Sequence, residues 1–194
     1  MKSLYLAFVG LLVGCGKKLE VENHYYSLVL EAAEGQPPAE PVAPKARVDL
    51  VAVDLPDFLR SRSLVLQVNT NEVLHARYHH WGEPLDIAVQ KVLARDLSNA
   101  LPKLEVAPGP GREADCTIAL ELDRFHASNS AQVLVSGRFV YTQHDQVTRR
   151  EFDVSQVQEG DGYTSAVSGM RRALGALSRE LASVVGACTP KPAE

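Results

Sequence analysis

Cys15 is the residue whose type and setting point most directly to a reaction. It closes the run Leu12-Val13-Gly14-Cys15, in which an aliphatic residue and small ones precede a thiol. Small residues leave the backbone accessible in extended form, and a thiol is a nucleophile open to covalent modification. Other candidate groups carry less. His75, His79 and His80 invite a metal, but neighbours on a strand face opposite ways, and His75 and His79 would sit roughly 13 Å apart. Zinc needs its ligands about 2 Å from one centre, so no metal site is expected. Trp81, Glu83 and Pro84 fit a partner-docking edge, an aromatic anchor beside a charge. They equally fit a helix start, with Pro84 in the first turn, Glu83 facing the positive helix end and Trp81 in the core. Arg60 and Arg62, with Asp54 and Asp57, surround Pro56. They read as a solvated surface with local ion pairs, or as contacts to a headgroup or partner. No G-x-S-x-G elbow and no P-loop occurs, so no catalytic residue is assigned.

The run ending at Cys15 resembles the lipobox of bacterial lipoproteins. Lys2 and the ten apolar-rich residues 4–13 precede it. That run has the length of a signal-peptide core and is too short for a spanning helix, which needs roughly 20 residues. Residues 1–14 are expected to be a signal peptide and 15–23 a lipidated tether. The acyl chains on Cys15 are the only cofactor-like group expected. Gly16, rather than Asp, follows the cysteine. By resemblance to the sorting rule of such lipoproteins, this favours the outer membrane, facing the periplasm.

Composition narrows the classes further. A net charge of -4 argues against a nucleic-acid binder, which usually carries a basic surplus. With one Trp and aromatics at 6%, a stacking platform for bases is not expected. Residues 24–188 read as a single α+β domain, with a proline-rich loop over 31–46 and a tail over 189–194. Strand patterns cover 24–30, 47–55, 63–68, 72–78, 104–107, 115–125, 131–142 and 148–157. Asn69-Thr70-Asn71 has hairpin chemistry. Two segments repeat apolar residues every three or four positions, one from Pro84 to Leu101 and one from Gly162 to Val185. The expected architecture is a largely antiparallel sheet with both helices on one face. Arg171, Arg172 and Arg179 read as a solvated helix face. Cys116 and Cys188 are expected to be separate buried thiols, with a disulfide as the alternative in an oxidising compartment.

The stretch 53–101 resembles the ABC-type transport auxiliary lipoproteins. Leu55-Pro56, Leu59-Arg60, the strand at Leu64 to Val68, Asn71-Glu72-Val73 and the block Tyr78 to Leu85 with Trp-Gly-Glu-Pro-Leu carry the resemblance. Upstream, Tyr25-Tyr26-Ser27-Leu28 falls in the same order. The resemblance implies a non-enzymatic envelope subunit in lipid traffic and membrane integrity. Its partners would be an MCE-domain protein and ABC transporter components. Against a ring or tube the subunit could itself be a homo-oligomer. The alternative is a stand-alone lipoprotein that binds a lipid or small ligand.

Overall fold

Period-two alternation runs through most of the chain, and the computed structural model pairs eight strands into one sheet. It describes residues 21–29, 46–111 and 113–191. The order is β1 (His24–Tyr26), β2 (Ala46–Asp54), β3 (Ser63–Asn69), β4 (Glu72–Trp81), α1 (Leu85–Ala100), β5 (Leu104–Pro108), β6 (Cys116–Ser128), β7 (Gln132–Gln143), β8 (Gln146–Val157) and α2 (Gly162–Val185). The expected signal peptide, Cys15 and residues 31–45 of the proline-rich stretch lie outside the described residues. Ala46, placed in that loop by the sequence, instead opens β2 as a buried residue.

Strand β6 is the centre. Along one edge it pairs antiparallel with β7, which pairs antiparallel with β8. Along the other edge it pairs parallel with β2 over its first half and with β3 near its end. β2 continues to β5, and β3 continues through the antiparallel hairpin to β4 and then to β1. The long β6–β7–β8 meander and the β3–β4 hairpin make the sheet largely antiparallel. The parallel pairs join elements distant in sequence, so no local pattern announced them. Helix α1 crosses over between β4 and β5, which lets β5 return parallel beside β2.

Both helices lay an apolar stripe on the sheet. Val89, Val92, Leu93 and Leu97 of α1 are fully buried, as are Leu174, Leu177 and Leu181 of α2. The helices are tied across their contact by an ion pair. Arg171 of α2 donates two hydrogen bonds to Asp96 of α1, at 2.8 and 2.7 Å. Only 11% and 12% of the two side chains is exposed. Arg171 is therefore not part of a solvated face: α1 packs beside α2 and encloses it. Arg172 bonds the Val157 carbonyl, and Arg179 is exposed, as expected for that face.

Cys116 and Cys188 form a disulfide, with Cα atoms 6.2 Å apart. The expectation of separate thiols fails because of the turn after α2. Ala187 and Cys188 donate their amides to the carbonyls of Val184 and Val185, which rolls the chain back over the start of β6. The tail stays there because the Lys191 amide bonds the Asp115 carboxylate at 2.7 Å. The Arg47 amide bonds the same carboxylate, and these two donors hold its pKa below the usual value.

Two outcomes are expected. The bond closes a loop of 72 residues, so Cys188→Ser should lower unfolding free energy by roughly 4 kcal/mol on the chain-entropy model, measured by urea denaturation. Asp96→Ala strands a mostly buried guanidinium and should cost about 3 kcal/mol in the same assay.

Candidate anchor exit and docking corner

The first described strand starts nine residues after Cys15. That length spans at most about 32 Å fully extended. β1 adds to the outer edge of β4 as a short parallel strand, in the register His24↔His79, Tyr25↔His80 and Tyr26↔Trp81. Immediately beyond, the Gly82 amide bonds the Tyr26 carbonyl at 2.8 Å. Leu28, fully buried, then pins the chain to the core. The Val29 carbonyl accepts from Arg95 of α1 at 2.9 Å. Residues 24–29 are thus fixed beside the corner where β4 turns into α1.

That corner holds the residues singled out for docking. Trp81 is 3% exposed, and its ring meets Phe125 of β6 at 6.2 Å between centroids. Its indole is a core side chain and presents no exposed anchor. Its amide bonds the Arg62 carbonyl at 2.7 Å, so the loop from Pro56 to Arg62 is drawn against the corner. Pro84 is exposed and caps α1, where a missing amide costs nothing. Glu83 pairs with Lys91 at 2.6 Å, one face along the helix. Arg60 is 53% exposed and pairs with Asp54 and Asp57. The structure therefore brings Trp81, Glu83 and Pro84 onto one turn and places the Arg60 loop against it, with Trp81 as its buried floor. Exposed Ile87 extends the turn's surface.

The histidines fall out differently from a metal site. The His79 ring stacks on His24 at 5.0 Å and on Tyr163 of α2 at 3.7 Å, and its Nδ1 shares a hydrogen bond with the Tyr26 hydroxyl at 2.9 Å. His80 meets Tyr25 at 5.7 Å. Among the described residues, no three metal-ligating side chains converge. Sequence reasoning missed His24, Tyr25, Tyr26 and Tyr163 as a group. The signal was visible as two short aromatic and histidine runs, 24–26 and 78–81, but their pairing was not.

Elsewhere the clefts differ in character. A groove of about 390 Å³ on the outer sheet face is lined largely by Asp123, Arg124, Arg138, Glu151 and Asp153. Its arginines are paired, Arg124 with Asp153 and Arg138 with Glu121, and such a lining suits water and ions better than an acyl chain. A recess of about 550 Å³ mixes Asp115, His144, Asp145 and Lys191 with Ala114 and Cys116. A cleft of about 340 Å³ is lined mostly by apolar groups, Ala100, Leu101, Pro102, Leu104 and Cys188 among them. No described helix is long and apolar enough to cross a membrane.

The chain was compared with known proteins. The family model of the ABC-type transport auxiliary lipoprotein component matches residues 26–182. Two proteins named intermembrane transport lipoprotein PqiC, from Escherichia coli and Shigella flexneri, are each 30% identical to it over 173 residues. The match covers 89% of this chain and 89% of each relative. The crystal structure of an uncharacterized protein superimposes with a TM-score of 0.73 at 24% identity, over 84% of this chain and 99% of its own. A Xanthomonas campestris protein superimposes with a TM-score of 0.60 at 15% identity, over 75% of this chain and 88% of its own. At those identities the two structures establish the shared fold.

The corner's two kinds of residue should separate in a stability assay. Trp81→Ala empties a core position and should cost about 3–5 kcal/mol. Arg60→Ala removes only exposed ion pairs and should change stability by less than about 1 kcal/mol. Urea midpoints of the two variants check both values.

Proposed function

Because the chain belongs to the ABC-type transport auxiliary lipoprotein family, we propose that it is the lipid-anchored accessory subunit of an envelope lipid-transport system. The family match across 26–182 and the similarity to PqiC over most of both chains carry this reading. The family is one of transport components and not of enzymes. In the proposed mechanism Cys15 bears the diacylglycerol, and its acyl chains hold the protein at the outer membrane. Each buried methylene contributes about 0.8 kcal/mol, so two or three chains anchor it stably. The domain then faces the periplasm and aligns an MCE-domain partner, with the ABC ATPase and permease at the other end of the assembly. No bond is made or broken; the work is tethering and alignment.

The geometry supports one placement of the docking face. Strand β1 is pinned on β4 next to the turn of Glu83 and Pro84, with the Pro56–Arg62 loop hydrogen-bonded to Trp81. A partner docked there is held at a fixed distance from the membrane. Trp81 beneath the corner keeps it rigid, and the exposed charges suit orientation and encounter more than raw affinity.

The test is crosslinked co-purification of the full-length lipoprotein from its native envelope, read by mass spectrometry. Recovery of an MCE-domain protein is the expected result. The double charge reversal Arg60→Glu with Glu83→Lys should cut that recovery at least tenfold while leaving the acylated chain in the membrane fraction. Recovery of lipid alone, at one per chain, would overturn the docking reading in favour of a stand-alone carrier. Absence of acylation on Cys15 would overturn the anchor.

A further inference from the structure

Strand β1 is only three residues long, and His24 and Tyr25 are exposed, Tyr25 at 66%. Three backbone register positions hold little on their own at a sheet edge. Beside the Gly82–Tyr26 hydrogen bond and buried Leu28, the ring stack fastens the strand. His79 lies between His24, inclined at 12°, and Tyr163, inclined at 20°. The Tyr26 hydroxyl reaches its Nδ1. The stack thus spans three elements: β1, β4 and the first turn of α2.

The groups that face the His79 ring are His24 and Tyr26 from β1 and Tyr163 from α2, with His80 its neighbour along the strand. No carboxylate is ion-paired with it among the described residues. Among the described residues a proton on the ring would therefore meet no paired anion. It would stand near two other imidazoles, those of His24 and His80. One effect opposes this: an imidazolium over Tyr163 gains a cation–π contact. Loss of hydration and the repulsion of His24 and His80 act the other way, and together they hold the His79 pKa below the usual 6.5.

We propose that the His79 stack is a proton-operated latch, which holds β1 on the edge of β4 while neutral and releases it when protonated. The sign follows from linkage. With the docked pKa below that of a free histidine, docking is fully favoured above pH 6.5. It loses ground as pH falls from there through the docked value. Release frees the β4 edge at His79–Trp81 and lets 24–26 leave the sheet, while buried Leu28 keeps its place. The latch depends only on the stack and not on the proposed partner or anchor.

The test is an NMR titration of the full chain from pH 8 to pH 5. It follows the imidazole signals and the contacts of His79 with Tyr163 and His24. Trp81, the only tryptophan, adds a fluorescence readout beside Tyr26. The expected result is a His79 midpoint below 6.5, with loss of the ring contacts along the same curve and no change in the packing of Phe125 or α2. His24→Ala with His80→Ala removes the two neighbouring charges and should move the midpoint upward. His79→Phe keeps a neutral ring and should hold β1 docked at every pH. A wild-type midpoint at or above 6.5, or ring contacts that survive protonation, would overturn the latch. So would a His79→Phe chain that still releases β1 on acidification.

Discussion

Every backbone donor and acceptor along β6 must be satisfied on two edges, and the rest of the molecule is arranged around that requirement. The strand is 13 residues long, more than twice the usual length. No single neighbour covers its second edge. β2 pairs with it as far as Glu121, and β3 takes over at Ala127. Between them the register against β7 shifts at Leu122 to Arg124, leaving Asp123 as the extra residue of a bulge. A bulge bends and twists its strand, which turns the second half of β6 toward the hairpin. Gly137 stands opposite Leu122, where any Cβ would strike the Glu121 carbonyl. The absence of a side chain there permits the bulge. The two halves of β6 then carry different groups: β2 and β5 with α1 above them on one side, and the hairpin with β1 on the other.

What the sequence made legible is what neighbours in the chain decide. Apolar residues every three or four positions set α2 at Gly162–Val185, and Pro84 marks the start of α1. Asn69 to Asn71 makes the hairpin tip, and the meander β6–β7–β8 follows from alternation and turns. What it hid is decided across the fold. The register of β2 against β6 shifts by one extra residue near Val51, which alternation over 47–55 does not show. The parallel pairings, the Cys116–Cys188 bond and the Asp96–Arg171 bridge join residues far apart in sequence. Charge on a helix reads as solvated until the neighbour that encloses it is known, which is why Arg171 was misplaced.

The candidate site divides the same way. A processing motif such as the one expected at Cys15 is a local pattern, and it lies outside the described residues. A docking corner is a product of packing. Residues 24–26 and 78–81 are separated by the whole of β2, β3 and most of β4, yet they become adjacent rungs. The sequence could mark Trp81, Glu83 and Pro84 as one turn, but it could not show that strand β1 lies against that turn. Once β1 is placed, it stands beside the start of α1 and the Pro56–Arg62 loop.

The chemistry of that end explains how a surface can be both stable and ready to bind. The ion pairs of Arg60 and Glu83 are exposed and contribute little to folding. They can exchange partners at small cost to the fold. Trp81 contributes through burial instead, beneath the turn and outside any contact. The two roles are therefore carried by different residues: apolar burial fixes the backbone of the corner, and solvated charge decides what approaches it. A docking surface built from exposed apolar side chains would need a partner always present to cover it. A charged corner over a buried indole can stay uncovered, and any selectivity it has rests on the placement of charges that the turn holds in register.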